Sequence, residues 1–300
     1  MTVGIILIII VALLAVFGFY LAHYSMTLKR QTLEETRGWQ GERVDISWYD
    51  EAVADNYTVR SYDGYLLHAQ LLEGPSGCPE GKYAIVTHGH THNRFAVLIY
   101  AKMYLDLGFR VILHDLRGHG ENEKTFCTFS IREGRDLAVL IEDTRKRYPD
   151  LKVLGIHGES LGGATTIASL KYHPKVDFAV DDCGFSEITS IMEAGLKGMH
   201  IPAFFVHIAS LCAKIRYGYF FHEMRPVEAL RENTVPILFM HGEKDSYIPC
   251  SHSVTMQKVT KGYSELHLFP GAEHAESAYV GEENYRKYLE DFLKKLALIR

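Results

Sequence analysis

The stretch VLGIHGESLGGATTIASLKY, from Val153 to Tyr172, decides the fold. Val153 to Ile156 is a short β-rich run, and Leu161 to Tyr172 reads as a helix stopped at Pro174. Between them lies Gly158-Glu159-Ser160-Leu161-Gly162, a G-x-S-x-G run at the turn from strand to helix. A reversal that sharp has no room for a side chain at either flanking glycine, and it holds the serine on a strained turn. The helix behind it offers free N–H groups and the positive end of its dipole. Serine in that setting is a candidate nucleophile.

Working outward, the same alternation repeats. Tyr57 to Arg60 and Tyr65 to Leu72 flank Asp63-Gly64, an Asp-Gly hairpin signal. Strand-like runs follow at Tyr83 to Thr87, Phe109 to Leu113, Phe178 to Asp181, Ile237 to Met240 and Leu266 to Phe269. Helical periodicity marks Phe95 to Leu107, ended by Gly108, then Leu137 to Arg147 and finally Asn284 to Leu298. Strands alternating with helices of this length predict an eight-stranded, mostly parallel sheet with helices on both faces. The alternation breaks between Phe185 and Arg231, a stretch rich in Met, Phe and Tyr that reads as a helical cap. Within it, the uncharged run from Gly198 to Ala213 is too short for a secure membrane span and suits a lid helix.

A serine hydroxyl needs a base to take its proton. On this topology the acid and the histidine follow the serine in that order, each beyond the carboxyl end of a strand. Asp245 follows the strand ending at Met240, and His274 follows the strand ending at Phe269. Among sixteen histidines, only position after the last strand singles out His274. The rival acid is Asp182, at the end of the sixth strand; the Gly242-x-x-Asp245 run favours Asp245. Asp181 and Glu243 read as solvated. The oxyanion would be held by two backbone N–H groups, that of Leu161 after the serine and that of His90 in the His88-Gly89-His90 loop. His88, His90 and His92 in alternation raise a metal-ligand reading. Asn93-Arg94 stands where an Asp-His pair would be needed, so no metal or cofactor is expected. His114 and His119, in the Asp115 to Gly120 turn, read as structural.

The amino terminus is of another kind. Val3 to Ala22 carries no charge, and as a helix it would span roughly 30 Å, the thickness of a bilayer core. No basic residue precedes it and no small-x-small site follows, so a retained anchor is preferred to a cleaved signal. Lys29, Arg30 and Arg37 follow, which places the remainder on the cytoplasmic side. The organisation is then an anchor over 1–24, a juxtamembrane helix or linker over 25–47, and a catalytic domain over 48–300 with its cap at 185–231. The rest is globular in composition, 47% hydrophobic and 23% charged, and a net charge of −5 offers no face for nucleic acid. Five scattered cysteines form neither a disulfide framework nor a zinc pattern.

The His88-Gly89 turn, the Asp115-Leu116-Arg117-Gly118-His119-Gly120 turn, the Gly158 to Gly162 elbow and the Asp245 and His274 loops resemble, in order and spacing, the α/β-hydrolase superfamily. The HG-x-T-x-N-R run, the H-G-E-S-L-G-G elbow and Asp182-Cys183 are similar to uncharacterised membrane-anchored bacterial hydrolases of the YqkD type. The resemblance spans about Asn56 to Arg300. It implies a cofactor-free serine esterase, thioesterase or peptidase using Ser160, Asp245 and His274. It leaves the substrate open; the apolar cap suggests a small hydrophobic acyl compound.

Overall fold

The computed structural model describes residues 2–27, 29–75, 77–78 and 80–300. One eight-stranded sheet organises the chain: β1 (Val53–Arg60), β2 (Leu66–Leu72), β3 (Lys82–Thr87), β4 (Arg110–His114), β5 (Val153–Glu159), β6 (Phe178–Asp182), β7 (Ile237–Gly242) and β8 (Ser264–Phe269). Their spatial order is β1-β2-β4-β3-β5-β6-β7-β8. β2 pairs antiparallel with β1 and β4, and all other neighbours run parallel. The fold is that of an α/β hydrolase. The β1–β2 hairpin turns at Asp63-Gly64, with Gly64 at φ +87°.

Helices precede the sheet and cover both its faces. In chain order they are α1 (Thr2–Met26), α2 (Leu33–Gly41), α3 (Tyr49–Ala52), α4 (Leu98–Asp106), α5 (Ile131–Arg147) and α6 (Leu161–Ser169). α7 (Thr189–Gly198) and α8 (Phe205–Tyr217) belong to the insertion after β6; α9 (Ser251–Val259), α10 (Ser277–Val280) and α11 (Glu282–Lys295) complete the fold. Period-two alternation sorts the strand residues. Ala84 and Val86 face α4 and α11, whereas Tyr83 and Ile85 face α5 and α6. Every residue of β3 and β7 is buried, as expected for strands covered on both sides.

α5 starts at Ile131, six residues before the periodicity marks it. Its first two turns bury two acidic side chains: Glu133 closes a capping box with Ser130, and Asp136 pairs with Arg117 at 2.6 Å. A buried ion pair shows no apolar period, so the sequence hid it. α2 is a separate helix with its own capping box, Thr32 with Glu35. Asn93 fastens it to the body through its side-chain amide, which donates to the Thr32 carbonyl and the Thr36 hydroxyl.

A third core lies outside the sheet. The last turns of α1 (Leu21, Ala22, Met26) pack with α7 and α8 and with Phe129 and Phe185. From Val3 to Leu13 the helix is mostly exposed and apolar. It is long and apolar enough to cross a membrane.

Candidate active site

Ser160 closes the turn between β5 and α6 at φ +55°, ψ −116°, a strained conformation for a residue with a side chain. The packing enforces it. A Cβ on Gly158 would strike the Gly162 carbonyl, and one on Gly162 would strike the Thr87 carbonyl of β3. The Ser160 N–H donates to the Asp182 carbonyl at 2.8 Å, fixing the turn against β6. Leu161, the first residue of α6, has an N–H with no partner inside its own helix.

The structure brings three of the expected residues into one line. Ser160 Oγ lies 2.8 Å from His274 Nε2, and His274 Nδ1 lies 2.6 Å from Asp245 Oδ2. Asp245 is further held by the N–H groups of Tyr247 and Ile248 on its other oxygen, at 2.9 and 2.7 Å. A second histidine, His241, stands 3.2 Å from Asp245 Oδ2, with its ring also against Ser253 and the Ile248 carbonyl. Burial pushes the Asp245 carboxyl up, but the hydrogen bonds from His241 and His274 outweigh it and hold it below the usual carboxylate range. His241 escaped sequence reasoning; its signal was its place four residues before Asp245 in His241-Gly242.

Asp182 does not meet His274 through a hydrogen bond. Its side chain accepts from Tyr100, whose hydroxyl lies 3.0 Å from Asp182 Oδ2 and 2.9 Å from Glu159 Oε2. One hydroxyl has one proton, so it can donate to only one of the two carboxyls at a time. Accordingly burial, with Asp182 beside it, raises Glu159 to about 8. Asp181 also departs from expectation. It is fully buried, not solvated, and burial raises it to about 8. The register of β6 sets it between Gly163 and Gly184, which leave room for its carboxyl.

The cleft over Ser160 has a volume of about 320 Å³ and is bordered by Gly89, His90, Tyr247, His274 and, from α2 and the turn after it, Trp39 and Arg43. Arg43 is engaged by Glu276 at 3.6 Å and lies over the Trp39 and Tyr279 rings. The loop histidines take separate paths. His88 holds a turn, its ring between the Gly89 carbonyl and the Leu116 N–H. His90 packs against Phe129, and His92 against Trp39. Among the described residues, the grouping of potential metal ligands is Cys183, Asp245 and His274, not these three histidines. His114 and His119 are buried, near Thr87 and the Arg117 carbonyl. The cysteines are free, and all but Cys250 are buried.

A strained serine at a strand–helix turn, hydrogen-bonded to a histidine on an α/β-hydrolase sheet, defines a class: serine hydrolases. The chain belongs to the prolyl oligopeptidase family, whose model matches residues 97–298. It is 26% identical over 285 residues to the uncharacterised protein YqkD of Bacillus subtilis, covering 93% of this chain and 92% of that one. The putative esterase YitV of Bacillus subtilis is 24% identical over 212 residues, 67% of this chain and 80% of its own. The esterase Pf2001 of Pyrococcus furiosus superposes with a TM-score of 0.68 at 19% identity, covering 84% of this chain and 95% of that one.

Proposed function

We propose that the protein is a membrane-anchored serine esterase acting on hydrophobic acyl esters. The observation that carries this reading is the Ser160–His274–Asp245 array, with contacts of 2.8 and 2.6 Å on the strained elbow. In the reaction, His274 takes the Ser160 proton as the oxygen attacks the ester carbonyl, while Asp245 holds the imidazole ring. The N–H groups of Leu161 and His90 receive the tetrahedral oxyanion. His274 then protonates the leaving alcohol, and water activated by the same histidine releases the acid. These steps use the chain's own residues and no cofactor.

Anchoring by α1 is supported by its length and by the packing of its last turns into the cap, which a cleaved signal would not need. The basic residues after it favour a cytoplasmic catalytic domain. The family's name admits a peptidase as the second reading. Arg43 on the rim of the Ser160 cleft is the cation a peptide terminus would meet, and its 3.6 Å pair with the part-exposed Glu276 would have to give way first. The test is a panel of p-nitrophenyl esters beside aminoacyl anilides, with fluorophosphonate labelling of wild type and Ser160→Ala. Esters should be cleaved and anilides poorly; the variant should lose labelling and on the order of a millionfold in turnover. Full labelling of the variant would sink the assignment, and efficient anilide cleavage would make the protein a peptidase.

A further inference from the structure

Beside the cleft over Ser160 lies a second cavity of about 140 Å³, mostly apolar. Two regions far apart in sequence wall it: Leu21, Tyr24 and Ser25 at the inner end of α1, and Ile191, Leu196 and Val206 of the cap. His90 and Tyr247 border both this cavity and the Ser160 cleft, so the two adjoin. The Tyr247 ring lies 5.1 Å from that of His274.

The wall contributed by α1 is fixed in place. A Cβ on Gly18 would stand 2.7 Å from Ile208 Cγ2 and 2.8 Å from Cys212 Sγ, so α1 and α8 cross at van der Waals contact. Phe17 meets Phe205 edge to face at 5.0 Å, and His23 Nδ1 lies 2.7 Å from the Tyr217 hydroxyl. Beyond the crossing, the Cys127 N–H donates to the Met26 carbonyl at 2.9 Å. A helix serving only as a tether would need none of these contacts.

We propose that this cavity receives the acyl chain of the ester attacked by Ser160, and that the inner end of α1 sets the chain length accepted. The proposal rests on the esterase reading above and deepens it. A dry cavity of about 150 Å³ lined by aliphatic and aromatic side chains holds a benzene molecule. This one therefore has room for about six carbons. Each methylene entering such a space raises specificity about fourfold until the space is full.

The experiment uses the full-length protein in detergent micelles, with p-nitrophenyl esters from acetyl to dodecanoyl and active sites counted by fluorophosphonate titration. For the wild type, kcat/KM should climb about fourfold per methylene and level off between hexanoyl and octanoyl. Leu21→Ala enlarges the cavity and should move that break to longer chains. Ser25→Trp fills it and should lower the octanoyl-to-acetyl ratio at least tenfold. Opposite shifts from two changes on one helix cannot come from general damage, which lowers all esters in proportion. A proportional loss in both variants, or a break that neither moves, overturns the role of α1. So does a break that moves with Ile191→Trp on the cap but with neither α1 variant. A wild type that cleaves no ester and takes no probe fails differently: the esterase reading itself is then wrong, and this proposal falls with it.

Discussion

Asp245 is contacted by two histidine rings and two backbone N–H groups, whereas Asp182 is tied to Tyr100. That difference ranks the two carboxylates. Asp245→Asn should lower turnover by about 10³ to 10⁴, by unsettling the tautomer of His274, while Asp182→Asn should cost far less. Steady-state kinetics on one ester decides it, and the reverse ranking would move the acid to β6. Glu159 gives a pH signature. Its carboxyl is raised from 4.5 to about 8, so the folded state keeps a proton that the unfolded chain has released. Between those values the unfolded state binds fewer protons, and stability falls as pH rises. Glu159→Gln has no proton to lose and keeps a partner for the Tyr100 hydroxyl. Its melting temperature should decline less from pH 5 to pH 9 than that of the wild type, with the largest gap at the alkaline end. Parallel curves would show that Glu159 is ionised throughout.

At the scale of elements, what was legible was what is local. Strands, the elbow and the loops after β7 and β8 announce themselves through runs, glycines and spacing, because their backbone needs are met within a few residues. Features built by distant partners were not. Asp181 looked like a charge at an exposed strand end, and only the approach of Gly163 and Gly184 reveals the space that buries it. The start of α5 was concealed by an ion pair to Arg117. α2 carried a readable signal, Thr32-x-x-Glu35, but its docking depends on Asn93, whose partners lie 61 and 57 residues away. Asn93→Ala would take one of two side-chain partners from the buried Thr36 hydroxyl, leaving Gln31, and would loosen α2 on the β3 loop. A loss of about 1 to 3 kcal/mol is expected, read as a lower denaturant midpoint with faster amide exchange over residues 33–41. Unchanged exchange there would mean that α2 is held by its other contacts, among them the Tyr279 hydroxyl on Gln40 and Trp39 on His92.

For the whole molecule, the position of the α1–α8 crossing constrains how the protein can sit in a bilayer. The crossing, which takes in Ala15, Phe17 and Gly18, leaves Val3 to Leu13 as the part of α1 clear of it, about 16 Å of helix against roughly 30 Å of hydrocarbon. If α1 spans, the missing depth must come from the protein-covered turns, and α8 must then enter the membrane surface with them. Its outer face suits this: Leu211 is 53% and Ile215 67% exposed, and on the last turns of α1 the exposed Tyr20 and Tyr24 stack at 6.3 Å, the residue type found at membrane interfaces. A fluorescent reporter can read the depth. In a Cys250→Ser background, which removes the one cysteine that is not buried, an environment-sensitive dye on Ile215→Cys should shift to the blue when the protein is placed in lipid vesicles. The same dye on Lys146→Cys, exposed at the far end of α5 on the opposite edge of the sheet, should not shift. Equal spectra at the two positions would leave α8 facing water. α1 would then have to thin the bilayer to cross it, at a cost of a fraction of a kcal/mol per Å of mismatch, or not cross it at all.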